Sequence, residues 1–165
     1  MVRFFIFFVV ILVTLFAAEL TPPAQSAVVI PWTDALVRIS GGLIMPLDSH
    51  VVAYGKHLLS TANGFAISIE AGCNGIEAAI ILIAAMLAFP APWRHRVIGI
   101  LAGLAAVQAL NVVRVVSLFY LGQWNVQAFE WAHLYLWQAL IMLDVLIVWL
   151  IWIRTLPPPS SSVSP

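Results

Sequence analysis

The sequence predicts an all-α polytopic membrane protein, and three observations carry that prediction. Charged residues make up only 8% of the 165, against about 25% in soluble chains, too few to cover a water-facing surface. Hydrophobic residues make up 63%, and mean hydropathy is +1.05. Apolar runs matching the roughly 20 residues that a bilayer-crossing helix needs recur along the chain. The expected architecture is about four transmembrane helices, an amphipathic outer helix and a small β-hairpin in a long outer loop. The formal net charge is zero, which gives no electrostatic case for a nucleic-acid partner. A single cysteine excludes an internal disulfide and any zinc site built from several thiolates, and no cofactor or metal is expected.

The first span is Phe4–Leu20. Arg3 before it and Ala24, Ser26 and Ala27 after it imitate a secretory signal, but the apolar stretch exceeds the usual core of about 7–15 residues, so a retained anchor is expected. Residues 27–47 are long enough to cross, yet Pro31, Pro46, Asp34 and Arg38 interrupt them. Asp34 and Arg38 share a helical face and can pair; an amphipathic helix on the membrane surface fits better than a span. Val51–Tyr54 and Phe65–Ile69 favour β-structure, separated by Gly55-Lys56 and Ala62-Asn63-Gly64. A hairpin there leads Glu70 and Cys73 to the membrane and presents an edge to an extended peptide. Asn74–Phe89, extended by Ala91 and Trp93, crosses if the bilayer thins locally. Val97–Leu121 and Leu134–Ile153 complete the four. Residues 1–155 form a single membrane-embedded domain, and 156–165 a disordered cytoplasmic tail, because Pro157–Pro165 carries no apolar pattern.

Basic residues near span ends set orientation. With four spans and the N-terminus inside, Arg3, Arg94, Arg96 and Arg154 all fall on the cytoplasmic side. That topology collects Cys73, Arg114 and His133 at one depth on the outer face. Arginine inside an apolar span costs roughly 2.5–3.5 kcal/mol on insertion scales, so Arg114 asks for a function. Cys73 stands between Gly72 and Gly75 before the second span, where a helix N-terminus favours a thiolate; Glu70 and Glu77 oppose this. His133 is expected to begin the fourth span, where the helix dipole keeps imidazole neutral and able to take the thiol proton. Arg114 supplies positive charge to an oxyanion or a substrate carbonyl. Gln108 and Asn111 extend the arginine's stripe and bind neighbouring helices or orient it. Asp144 needs a partner, for which Gln108 and Gln138 are available. His50 and His57 lie in the outer loop without companions for a metal, and His95 sits in a cytoplasmic turn.

The runs Glu70-Ala71-Gly72-Cys73-Asn74-Gly75-Ile76-Glu77, Asn111-Val112-Val113-Arg114-Val115 and Trp131-Ala132-His133 resemble the cysteine, arginine and histidine signature of the exosortase/archaeosortase family. Phe89-Pro90-Ala91-Pro92-Trp93-Arg94-His95, the Met1–Leu20 anchor and the run from Phe129 to Trp137 are similar to the compact subgroup called exosortase H. Asn74 stands where many relatives carry serine. The resemblance implies a multi-pass protein of the bacterial inner membrane, a cysteine protease or transpeptidase acting at the outer, periplasmic face. Cys73 would be its nucleophile, His133 its base and Arg114 its transition-state or substrate stabiliser. It also implies exported protein partners that end in a short motif, a transmembrane helix and a basic cluster; an Ile-Pro-Thr-Leu type signal is paired with similar compact members. Membrane lipid is the remaining partner. Two other classes fit the composition: a non-catalytic membrane scaffold or assembly factor, and a small transporter subunit using Asp144 and Arg114. Reaction of Cys73 with a membrane-impermeant thiol reagent from outside separates the enzyme from the scaffold.

Overall fold

The computed structural model describes residues 2–157; most of the tail assigned to 156–165 lies outside the described residues. Five helices and one three-stranded sheet follow in the order α1 (Val2–Glu19), α2 (Pro22–Ile44), β1 (Val51–Tyr54), β2 (His57–Ser60), β3 (Ala66–Ser68), α3 (Ile76–Ala88), α4 (Trp93–Trp124) and α5 (Val126–Arg154). The all-α polytopic architecture is as expected. By length and composition α1, α2, α4 and α5 are able to cross a membrane.

The set of long helices differs from the sequence expectation in one member. The Asn74–Phe89 stretch yields only the 13-residue α3, about 20 Å at 1.5 Å per residue. Gly75 in left-handed conformation (φ +76) starts it late, and Pro90 and Pro92 prevent its continuation. Ala91 still packs into the core beyond it. The segment 27–47, in turn, belongs to one helix that begins at Pro22. Its inward residues Thr33, Leu36, Val37, Ser40, Gly41 and Ile44 recur at three- and four-residue intervals, the stripe of an amphipathic helix. Among the described residues Asp34 and Arg38 form no ion pair; Arg38 is exposed.

α1 and α3 run antiparallel. Phe4 meets Phe89 and Trp149 at one end, and Glu19 is buried at the other. The Phe4 end also holds the hydrogen bonds from Arg96 to the Phe89 carbonyl (2.9 Å) and from the Trp152 indole to the His95 carbonyl (3.0 Å). Arg3, Arg94, Arg96 and Arg154 therefore share one end of the bundle. Gly99 lets α5 approach there, because a Cβ at Gly99 would collide with the Trp152 ring.

At the opposite end α2 climbs beside α4. Val28 and Val29 share a cavity with Leu104 and Ala105, and higher up Val37 and Ile44 join Val115 and Phe119 in one buried cluster. The sheet packs on this pair, with Gly41 admitting Ala53 of β1. The expected hairpin is a three-stranded meander, because His57–Ser60 is an additional strand. Gly55 (φ +49) takes the first position of the two-residue β1–β2 loop, where a type II′ hairpin turn favours glycine. Thr61–Gly64 forms a longer β2–β3 loop, in which the Asn63 carboxamide accepts from the Phe65 amide (2.9 Å).

β3 then descends along α4 in the opposite direction. Phe65 fills the notch at Gly122, Ile69 clusters with Val115, and Cys73 arrives at Arg114.

Candidate active site

The loop between β3 and α3 is built around two glycines. The Cys73 amide donates to the Glu70 carbonyl (3.0 Å), and Gly72 has φ +85, the sign required at the third position of a type II turn. Asn74 then locks the loop. It is fully buried; its side chain donates to Thr33 Oγ1 (3.1 Å) and accepts from the Ile76 amide (3.1 Å). The Asn74 carbonyl accepts from Trp32 Nε1 (3.1 Å), and the Gly75 carbonyl accepts from Gln108 Nε2 (3.1 Å). The cysteine loop is thus tied to α2 on one side and to α4 on the other. Any β-carbon at Gly75 would press on Gln108 Oε1 (2.9 Å) and Asn111 Nδ2 (3.0 Å).

Arg114 is 3% exposed and donates through Nη2 to Cys73 Sγ (3.6 Å). Arg114 lies about 31 Å along α4 from Trp93 at 1.5 Å per residue, two thirds of the way up this 32-residue helix.

His133 lies within hydrogen-bond distance of the thiol, with Nε2 3.1 Å from Cys73 Sγ. Its helix is not the one expected. α5 starts at Val126, where Asn125 caps it by accepting from the Ala128 amide (3.0 Å). His133 is therefore two turns inside the helix, and an N-terminal dipole is not what holds it. Instead Ala132–Leu136 form one π-helical turn, in which the Trp137 amide reaches the Ala132 carbonyl. Such turns insert a residue and re-aim side chains, often at functional sites. The imidazole also stacks on Phe129 (centroids 5.6 Å, 23°), which meets Phe65 edge-on (6.4 Å, 82°). An aromatic chain from Phe65, just before β3, to α5 fixes the ring.

Cys73, Arg114 and His133 line one cavity of about 50 Å³ with Ile67, Ser68 and Phe129 among its walls. The structure thus brings together all three residues singled out in the sequence. Burial pushes the Cys73 thiol up from its ordinary pKa; Arg114 opposes this, while Glu77 and Glu70 add to it. The opposition expected from Glu70 and Glu77 is thus present, and burial adds to it. Cys73 lies two residues before the Gly75 cap of α3 and is half-buried, and desolvation is the largest influence on its thiol. Glu70 is held below the usual carboxylate range by hydrogen bonds from Lys56 and Ser68.

A family model described as transmembrane exosortase (Exosortase_EpsH) matches residues 2–152. The chain belongs to the exosortase family. No curated protein and no solved structure matches it. This exosortase is a multi-pass membrane protein of a family that acts on exported protein substrates.

Other residues singled out in the sequence stand apart from the cavity. Asp144 Oδ2 has no hydrogen-bond partner, and Gln108 is engaged at Gly75, so the pairing expected of Asp144 with Gln108 or Gln138 does not form. Asn111 is fully buried with both side-chain polar atoms unpaired. His50 and His57 belong to the sheet region, and no group of three metal-ligating side chains occurs among the described residues. The larger cavity, about 500 Å³ between α1, α2, α3 and α4, is almost wholly apolar.

Sequence reasoning missed Trp32, Thr33 and Phe129. Asn125 ahead of an apolar run is an N-cap signal; starting the helix there places Phe129 one turn before His133. Nothing in the sequence pairs Trp32 or Thr33 with Asn74.

Proposed function

We propose that this exosortase is a membrane-embedded cysteine peptidase or transpeptidase. It cuts exported proteins just before a C-terminal transmembrane helix, with Cys73 as nucleophile, His133 as base and Arg114 as oxyanion stabiliser. The observation that carries the reading is the contact of one sulfur with both an imidazole (3.1 Å) and a guanidinium (3.6 Å) inside one cavity. The face is the outer one by the positive-inside rule, since the four basic residues cluster at the far end.

Because burial holds the thiol protonated, proton removal accompanies attack. His133 Nε2 takes the Sγ proton as the sulfur adds to the scissile carbonyl carbon. The carbonyl oxygen gains the negative charge and turns toward the Arg114 N–H groups. Collapse of the adduct breaks the C–N bond; the leaving amine takes the proton back from the imidazolium, and a thioester remains on Cys73. Water or an acceptor amine then attacks the thioester, passing its proton through His133 and releasing the thiol.

The test is co-expression with a reporter that ends in an Ile-Pro-Thr-Leu segment, an apolar helix and a basic cluster. Mass spectrometry reads the reporter's C-terminus. The native enzyme should shorten it, and Cys73→Ala should leave it whole. Equal processing by both proteins would remove Cys73 from the chemistry.

A further inference from the structure

The geometry points to β3 as the docking strand for the substrate: the extended segment just before the substrate's membrane helix adds to the free edge of β3, which delivers its scissile carbonyl to Cys73. This rests on the peptidase reading above and adds how the substrate is held.

Hydrogen-bond parity shows what the edge offers. The Ser60 amide donates to the Phe65 carbonyl (2.8 Å) and the Ile69 amide to the Lys56 carbonyl (2.9 Å), and Leu58 pairs with Ile67 between them. In an antiparallel ladder, residues that exchange bonds with the neighbouring strand alternate with residues whose main-chain groups point away. Phe65, Ile67 and Ile69 therefore turn their main chain toward β2. The N–H and C=O groups of Ala66 and Ser68 point the other way, and both residues are exposed. Among the described residues no strand lies beyond β3. Open edges of this kind are templates for an added strand.

Position makes the edge specific. Ile67, Ser68 and Ile69 wall the same cavity as Cys73 and His133. Its volume is about 50 Å³, a tenth of the roughly 500 Å³ of the apolar cavity between α1, α2, α3 and α4, so it suits the scissile group while the flanking substrate chain lies along the rim. Direction agrees too. β3 descends from the level of Gly122 to that of Arg114, and a substrate with its exported part first and its membrane helix last runs the same way. The added strand is parallel to β3, and main-chain bonding lets it accept varied side chains.

Disulfide trapping tests this without relying on catalysis. In a Cys73→Ala/Ser68→Cys enzyme, single cysteines are placed at successive positions of the reporter segment preceding its apolar helix. A docked strand crosslinks at every second position, because alternate side chains share a face. Ser68→Pro in the otherwise native enzyme removes one outward N–H and spares the β2 ladder, so cleavage should slow by roughly fivefold, the worth of one hydrogen bond. Cleavage by the native enzyme with uniform or absent crosslinking overturns the docking strand and leaves the peptidase standing. Alternating crosslinks to a reporter that the native enzyme never cuts uphold the docking strand and remove the peptidase reading instead.

Discussion

Replacing Arg114 by lysine separates charge from hydrogen-bond geometry. At the observed 3.6 Å, a full positive charge beside a thiolate is worth about 5 kcal/mol at an effective dielectric of 20. Lysine keeps the charge on a shorter stem; retracting it by about 1.5 Å lowers that figure by about 1 kcal/mol, roughly tenfold or less in thiolate population. Loss of an oriented oxyanion donor costs more, about 100- to 1000-fold in turnover. Arg114→Lys should therefore react with iodoacetamide at Cys73 within about tenfold of the native rate, yet cleave the reporter about 100-fold or more slowly. Arg114→Met, of similar bulk and no charge, should lose both activities. Single-turnover cleavage and alkylation, measured on the same detergent-solubilised preparations, give the two numbers. Cleavage by the lysine variant within a few-fold of native would refute a guanidinium role. A parallel collapse of alkylation and cleavage would show that lysine merely disturbs the loop.

The pH dependence of alkylation has a definite sign. Burial raises the Cys73 thiol in the folded protein, so its thiolate appears at higher pH than in unfolded chain; native protein should react more slowly than SDS-unfolded protein at neutral pH and catch up only in alkali. By linkage, the stability tied to this neutral thiol is present below its unfolded pKa and is lost as pH rises through the folded one. Faster native than unfolded labelling at pH 7 would mean a preformed thiolate–imidazolium pair. Gly99→Ala tests packing far from the site. The new methyl collides with Trp152, whose indole donates to His95. Overpacking of this kind costs about 1–3 kcal/mol, so the melting temperature in detergent should fall while the folded fraction cleaves normally; an unchanged melting temperature would show that the α4–α5 contact yields freely.

Composition and hydropathy alone settled the membrane class and the long helices α1, α4 and α5, because a bilayer demands long apolar runs and the chain has few ways to supply them. The placement of Cys73, Arg114 and His133 at one depth was legible for the same reason: crossing a layer of fixed thickness fixes each residue's height. What hydropathy does not encode is which way a side chain points within that height. The extra strand His57–Ser60, the late start of α3 at Gly75, and the early start of α5 at Asn125 depend on local turns and caps whose effects reach the site only through packing. His133 was expected at a helix end but stands on a π-helical turn, aimed by Phe129 and, through it, by Phe65 just before β3. Trp32 and Thr33 reach Asn74 across more than forty residues of chain, a meeting no periodicity records. The proton affinity of Cys73 has the same origin: sequence supplies the neighbouring charges, but the degree of desolvation, the largest influence on the thiol, exists only once the loop is folded against α4.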